Sequence, residues 1–577
     1  MLKRFFPFLT WIRTYDRSLL FGDLIAGITV GIMLVPQGMA YAMIAGMPPI
    51  YGLYAALVPP FIYALTGTSR QLGVGPVAMD SLLVAAGIGT LHLATTEDYI
   101  QAVLFLTLLI GSVQLLLGIL KMGFFVNFLS KPVISGFTSA AAILIGLGQL
   151  KHILGTDFEQ SSKIYKLVWN IVGSLGDINP YTLAFGVLAI LLILGLNKIS
   201  KKIPTPLLMV VLGILTVTFF GLETLGIRIV GEVPKGLPAF QSPPILWDKA
   251  GQLFPIAITV ALFGFMESIS IAKTAEERHP EYELDANQEL RALGTANILG
   301  SFFNSFSVSG SFSRTAVNDQ SGAKTTMALI FSVLLVAGVL LFLTPLFYNL
   351  PTAVLGAIII VSVFGLIDVK YPLMLWKHRK DEFILLNATF LMTLFIGLIE
   401  GIILGVLLSL LLLVYRISKP HIAILGRIKG TNYFKNIDRF SEEVEIEGDK
   451  LVLRFDAQLY FGNKDYFKKQ LYQQIEKKGS GLKAIVLNAE PINYIDSSAA
   501  VMLERIILDL REKGIKFLIA GAIGPTRDIL YSSGLIQILG EENLFAQTFE
   551  AVDCCLEHKE RTMIQKKVSL QSGRKTL

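Results

Sequence analysis

The chain has 577 residues, 53% hydrophobic and 16% charged, with a mean hydropathy of +0.61. A soluble domain of this size needs more polar surface, so the repeated apolar runs of about 20 residues read as membrane-spanning helices. The net charge of +6 calls for no nucleic acid, because basic loop residues account for it. Two adjacent cysteines, Cys554 and Cys555, argue against a disulfide framework. The sequence has no Walker A motif, HExxH pair or Cys/His cluster, which argues against an ATP-driven pump or a metalloenzyme. No enzyme activity, metal or cofactor is expected.

Residues 1–21 do not form a cleavable signal peptide. Pro7, Arg13, Asp16 and Arg17 break the apolar run, which reads as a cytoplasmic amphipathic lead-in. A first span covers 22–45, with Asp23 read as its cap and Pro36-Gln37-Gly38 as an interruption of its outer half. A second covers 48–65. The stretch 67–89 starts as extended Gly/Pro chain to Pro76 and turns helical from Val77. Its GVGPVA piece fits a dinucleotide fingerprint only formally, because Pro76 interrupts it and no soluble βαβ unit surrounds it. Spans follow near 100–122, 124–150, 181–197, 205–222, 251–273 and 287–303. Residues 306–321 again join an extended lead-in to a helix start. The last spans lie near 325–347, 351–368, 383–398 and 400–418. The membrane part, 22–419, therefore holds about fourteen segments, two of them half-helices. Lys3, Arg4, Arg13 and Arg17 precede the first span, Lys198, Lys201 and Lys202 follow the sixth, and Lys377, Arg379 and Lys380 follow the twelfth. This bias places both termini in the cytoplasm of a multi-pass protein of the cell membrane.

The two halves resemble each other. AGITVGIMLVPQGMAYA (26–42) can be laid on IAITVALFGFMESISIA (256–272), which puts Gln37 on Glu267. In each half, one span later, comes a broken element, at Val77 and at Ser313. Seven spans separate the copies, an odd number, so their orientations are opposite. Inverted repeats with paired broken helices are the pattern of secondary transporters that bind at the bilayer midplane.

The stretch from Phe306 to Thr326 organises the rest. It lies between apolar segments yet carries Ser311, Ser313, Arg314, Asn318 and Asp319. An arginine at membrane depth costs about 2.5–3.5 kcal/mol even on the lenient insertion scale, so it faces a cavity or a partner. A helix starting there aims backbone N–H groups and its positive end at that cavity. Val77 and Ser313 mark two such starts, Gln37 and the Ser313 hydroxyl add adaptable donors, and Arg314 adds a fixed positive potential. The competing reading of Arg314 is a structural pair with Glu267 or Asp319, and of Gln37 a helix-packing hydrogen bond. Glu267 lies mid-span with no cation in the adjacent turns. Balanced between burial and Arg314, it is a candidate for taking up and releasing the coupling proton; a static salt bridge is the alternative. Asp80 suits a helix N-terminus but would repel an anion, and a structural hydrogen-bonding role is expected for it.

After Pro420 the composition changes. Residues 420–434 read as a linker, 435–560 as a soluble α/β domain of alternating strands and helices, and 561–577 as a tail. Ser498 opens one of its helices and reads either as a helix cap or as a phosphorylation site.

PQGMAYA (36–42), PPIYGLY (48–54), GTSRQLGVGP (67–76), GFMES (264–268), the stretch 285–297 and SFSRTAVN (311–318) resemble the sulfate permease (SulP) family of anion transporters, to which prestin belongs. INYIDSSAAVML (492–503) resembles that family's STAS domain. The resemblance implies a seven-plus-seven inverted repeat, with a core (22–122 and 251–347) moving against a gate (124–222 and 351–418) in an elevator-like step. It places the anion between the third and tenth elements, at positions matching Gln37, Tyr41, Val77, Ala78, Ser313 and Arg314. It implies sulfate carried by proton symport or anion exchange, with bicarbonate, chloride or dicarboxylates as alternatives and sodium as a second candidate coupling ion. It also implies a homodimer, with cytosolic regulators at the STAS domain. Two further readings are a membrane-anchored sensor with the STAS domain as output, and a nucleobase permease of the same fold; Arg314 speaks against the neutral substrate of the latter.

Overall fold

The computed structural model describes residues 5–91, 93–124, 130–199 and 204–554. Lys3, Arg4, Lys201, Lys202, Cys555, part of the span expected at 124–150 and the tail expected at 561–577 lie outside the described residues. The chain forms two compact units, Met1–Ser409 and Leu410–Leu577.

The first unit is helical. Its first half runs α1 (Arg17–Ile44), α2 (Pro49–Ala55), α3 (Val58–Thr66), strand β1 (Gly73–Gly75), α4 (Ala78–Gly89), α5 (Thr96–Ile119), α6 (Lys131–Gly148), α7 (Pro180–Ile199) and α8 (Thr205–Phe220). Its second half runs α9 (Trp247–Glu276), α10 (Ala286–Ser301), strand β2 (Ser309–Ser311), α11 (Phe312–Gln320), α12 (Met327–Gly338), α13 (Thr352–Phe364), α14 (Lys380–Phe395) and α15 (Leu398–Ser418), whose end enters the second unit. Each of the fourteen segments read from the sequence contains a helix. Among the described residues, 8 helical stretches are long and apolar enough to cross a membrane, and α4, α8 and α13 are shorter apolar helices. Two short helices, Ile164–Gly173 and Lys370–His378, stand where only loop was expected.

The first span departs from the sequence reading twice. Asp16, not Asp23, caps α1, accepting from the Leu19 N–H at 2.9 Å. Asp23 lies a turn and a half inside, fully buried, and accepts from the backbone of Lys324 (2.7 Å) and Thr325 (3.0 Å), which joins α1 to the chain after α11. Nor does Pro36-Gln37-Gly38 interrupt the helix: α1 runs unbroken with Pro36 inside it. The glycine serves close packing instead. A Cβ on Gly52 of α2 would stand 1.9 Å from the Gly38 carbonyl oxygen, so the two backbones touch. A packed neighbour of this kind is what lets a membrane helix tolerate an internal proline.

The halves pack by exchange of equivalent elements. α1 lies on α11 and α12 as α9 lies on α4 and α5, and α3 meets α12 as α10 meets α5. At the centre β1 and β2 pair antiparallel, Gly73 opposite Ser311 and Gly75 opposite Ser309. Because the strands run in opposite directions, α4 and α11 leave opposite ends of this ribbon and turn their N-termini toward the middle of the unit.

In the second unit a sheet of seven strands has the order β4-β3-β6-β7-β8-β9, with β5 (Val444–Glu445) also on β3. The strands are β3 (Ile422–Ile428), β4 (Phe434–Asn436), β6 (Lys450–Phe455), β7 (Ala484–Asn488), β8 (Lys516–Ala520) and β9 (Leu544–Phe545). β6 to β9 are parallel, as crossovers through α16 (Lys464–Lys478) and α17 (Ser497–Glu512) require. The segment 420–434 is therefore not a linker. HIAILGRI supplies β3, whose alternate side chains Ala423 and Leu425 are buried; the preceding Pro420 marks where the helix stops, not where structure stops. Asp496 caps α17, accepting from the Ala499 N–H at 2.8 Å, so the cap role considered for Ser498 belongs to its neighbour and Ser498 is exposed.

Candidate functional site

The ribbon is held by polar side chains buried in apolar helices. Asn297 of α10 accepts from the Val308 N–H (2.9 Å) and donates to the Val308 carbonyl (3.2 Å) and to Gln114 (3.0 Å). Thr315 accepts from the Gly73 N–H at 2.9 Å, Asn318 donates to the Gln71 carbonyl at 3.0 Å, and Ser268 accepts from the Gly310 N–H at 2.7 Å. These groups satisfy backbone that leaves regular structure inside the bilayer, where water cannot. Sequence reasoning singled out Asn318 but none of these bonds, and gave no role to Gln114, Ser268, Asn297 or Thr315; their one signal was polarity within an apolar span.

Val77 sits in extended conformation immediately before α4 and offers no capping oxygen, so its side chain accepts from none of that helix's first N–H groups. Val77 and Ala78 are both buried. At the other start the Ser311 hydroxyl faces the Arg314 N–H at 3.5 Å and lies 3.2 Å from the hydroxyl of Ser313, which is exposed. Arg314, in the first turn of α11, is 0% exposed, and its Nε, Nη1 and Nη2 have no hydrogen-bond partner among the described residues. It fits because β1 is glycine-rich. A Cβ on Gly73 would stand 2.8 Å from the Arg314 Cβ, and one on Gly75 would stand 3.4 Å from Nη2.

The structural pair considered for Arg314 and Asp319 does not form. Asp319 is held by Arg278 (2.8 Å) and His279 (2.6 Å), because it lies more than a turn beyond Arg314 toward the end of α11. Glu267 and Tyr41 are within electrostatic reach of Arg314, but neither makes a salt bridge or hydrogen bond to it, and Glu267 Oε2 has no partner among the described residues. Gln37 lies one turn before Tyr41 on α1, buried, with Oε1 likewise unpartnered. Asp80, buried in the first turn of α4, turns toward α9: a Cβ on Gly264 would stand 3.1 Å from its Oδ2, and Ser309 lies beside it. Its Oδ1 has no hydrogen-bond partner among the described residues. Gln37, Tyr41, Val77, Ala78, Glu267, Ser313 and Arg314 all belong to elements that meet at the ribbon; Ser498 belongs to the second unit.

Two half-helices that start from a shared buried ribbon, beside an unpartnered cation, define a polytopic membrane carrier with an α/β appendage. The chain belongs to the sulfate permease family, whose model matches residues 20–389, and it carries a STAS domain at 427–553. Sulfate transporter 4.1, chloroplastic, of Arabidopsis thaliana is 39% identical over 97% of this chain and 84% of its own length. The structure of murine Slc26a9, an anion transporter in the inward-facing state, superposes with a TM-score of 0.88 at 24% identity, over 96% of this chain and 94% of that one. The transmembrane domain of the cyanobacterium bicarbonate transporter BicA gives a TM-score of 0.59 at 24% identity, over 69% and 98%. At such identities the two structures speak for the fold alone.

Proposed function

We propose that this protein is a secondary active transporter of small inorganic anions, with sulfate as substrate, working by elevator-type alternating access. One observation carries the reading: a fully buried guanidinium whose three nitrogens have no hydrogen-bond partner among the described residues, between two helix starts. A buried charge costs several kcal/mol unless something compensates it, and an anion docked against Arg314 would do so. The oxygens of a tetrahedral oxyanion can accept from the N–H groups that open α4 and α11, from the Ser313 hydroxyl, and from the guanidinium as a planar fork. Tyr41 and Gln37 would line the side formed by α1. Relatives such as the Arabidopsis thaliana protein, described as a sulfate transporter, support sulfate over other anions.

In this reading Glu267 couples transport to protons. Near Arg314 but not bonded to it, the carboxylate neutralises the guanidinium when the site holds no anion. When the anion arrives, two negative groups share one cation, and protonating Glu267 relieves the repulsion. The core would carry anion and proton together. A homodimer in the cell membrane with cytoplasmic termini, and cytosolic regulators at the STAS domain, belong to the same proposal. The test is uptake of labelled sulfate into proteoliposomes with and without an inward proton gradient. Concentrative uptake driven by the gradient is expected; binding without flux would instead support the sensor reading.

A further inference from the structure

We infer that the second unit holds a site for a phosphomonoester anion, in the cavity between β3, β4 and the end of β6. The cavity measures about 360 Å³ and is lined by His421, Lys435, Arg439, Phe440, Arg454 and Asp456, among others. Three fixed cations face one carboxylate, so it is positive even with His421 neutral. The carboxylate serves as a brace. Asp456 accepts from Arg454 Nε at 2.5 Å through Oδ1 and from Nη2 at 3.1 Å through Oδ2, and His421 Nδ1 lies 2.8 Å from that same Oδ2. Burial would push the Asp456 carboxyl up, but those hydrogen bonds outweigh it and hold the group below the usual carboxylate range. Asp456 thus stays ionised, fixes Arg454 and His421, and leaves Arg454 Nη1 and His421 Nε2 without a bond to it.

Lys435 and Arg439 supply charge that no acidic group among the described residues neutralises. Neither makes an ion pair among the described residues; the Lys435 ammonium rests over the Phe440 ring at 4.1 Å, which orders it without neutralising it. A dianionic phosphate monoester matches this surplus, with guanidinium forks for its oxygens. Sequence position adds a second argument: His421 follows α15 by three residues, and basic clusters next in sequence to a membrane helix bind anionic lipid.

The phosphate could belong to a lipid headgroup or to a soluble anion, and the experiment separates the two. The full chain in detergent is mixed with phosphatidic acid, phosphatidylserine or phosphatidylcholine, and bound lipid is read by native mass spectrometry. Phosphatidic acid should be retained over phosphatidylserine. The double variant Lys435→Glu/Arg439→Glu, changed only at the cavity rim, should bind it roughly 30-fold more weakly, while sulfate flux in phosphatidylcholine vesicles stays at the parent level. If millimolar inorganic phosphate strips the lipid, the site takes soluble phosphates; if not, it is a headgroup site. Equal retention of phosphatidylserine, or undiminished phosphatidic acid binding by the variant, would overturn the inference.

Discussion

Replacing Arg314 by glutamine should move stability and binding in opposite directions. The guanidinium is fully buried, its three nitrogens have no hydrogen-bond partner among the described residues, and Glu267 is near but unbonded, so in the substrate-free protein it remains a desolvated charge, only partly offset, that the fold tolerates at a cost of several kcal/mol. A neutral side chain of similar reach removes that cost, and thermal unfolding of the substrate-free variant should occur at the same temperature or higher. Anion binding loses a buried charge-assisted contact, which is typically worth about 2–5 kcal/mol, or roughly 30- to 5,000-fold in Kd. Arg314→Lys keeps the charge but loses the planar fork, and should fall between. The assay is paired: sulfate titration by calorimetry, and thermal unfolding with and without sulfate. The parent should gain a sulfate-dependent rise in Tm that the glutamine variant lacks. A variant that melts lower without sulfate yet binds it within about threefold of the parent would show Arg314 to be structural, and would sink the site assignment.

Other consequences are simpler to check. Glu267→Gln should abolish the response of sulfate uptake to a proton gradient while leaving sulfate–sulfate exchange measurable; gradient-driven uptake at the parent rate would end the coupling role. Gly52→Ala would drive a Cβ to 1.9 Å from the Gly38 carbonyl oxygen, backbone against backbone, so a loss of about 3 kcal/mol or failure to fold is expected by thermal unfolding. Asn297→Ala strands the Val308 N–H and carbonyl without their partner, at about 1–3 kcal/mol each, and should lower both Tm and sulfate affinity because the ribbon positions Arg314. Asp456 has a depressed folded-state pKa, so its contribution to stability is complete above the ordinary carboxylate value and disappears as pH falls through the lower folded one. The parent should lose stability more steeply than Asp456→Asn over that acidic window, as followed by unfolding against pH.

Much of this molecule could be read from its residues alone. Hydropathy locates the spans, because lipid demands apolar surface over a set length. The two interruptions at 67–76 and 306–311 are visible because extended Gly, Pro and Ser chain cannot hide in an apolar run, and Arg314 declares itself because a charge there needs a reason. The alternation of KAIVLNAE and KFLIAGA with amphipathic helices marks the α/β domain.

What residue order could not decide was which partner each polar group takes. Asp23 reads as a cap and is a clamp on Thr325, about three hundred residues away; Asp319 reads as a mate for Arg314 and is taken by Arg278 and His279. Pro36 and Gly38 read as a break and are a seam between helices, and Pro420 reads as the start of a linker and is followed at once by a strand. Local pattern reports what a segment can form by itself. Hydrogen bonds and close backbone contacts between distant segments depend on where the chain returns, and only the folded molecule brings Gly73 beside Ser311 and leaves Arg314 without a hydrogen-bond partner among the described residues.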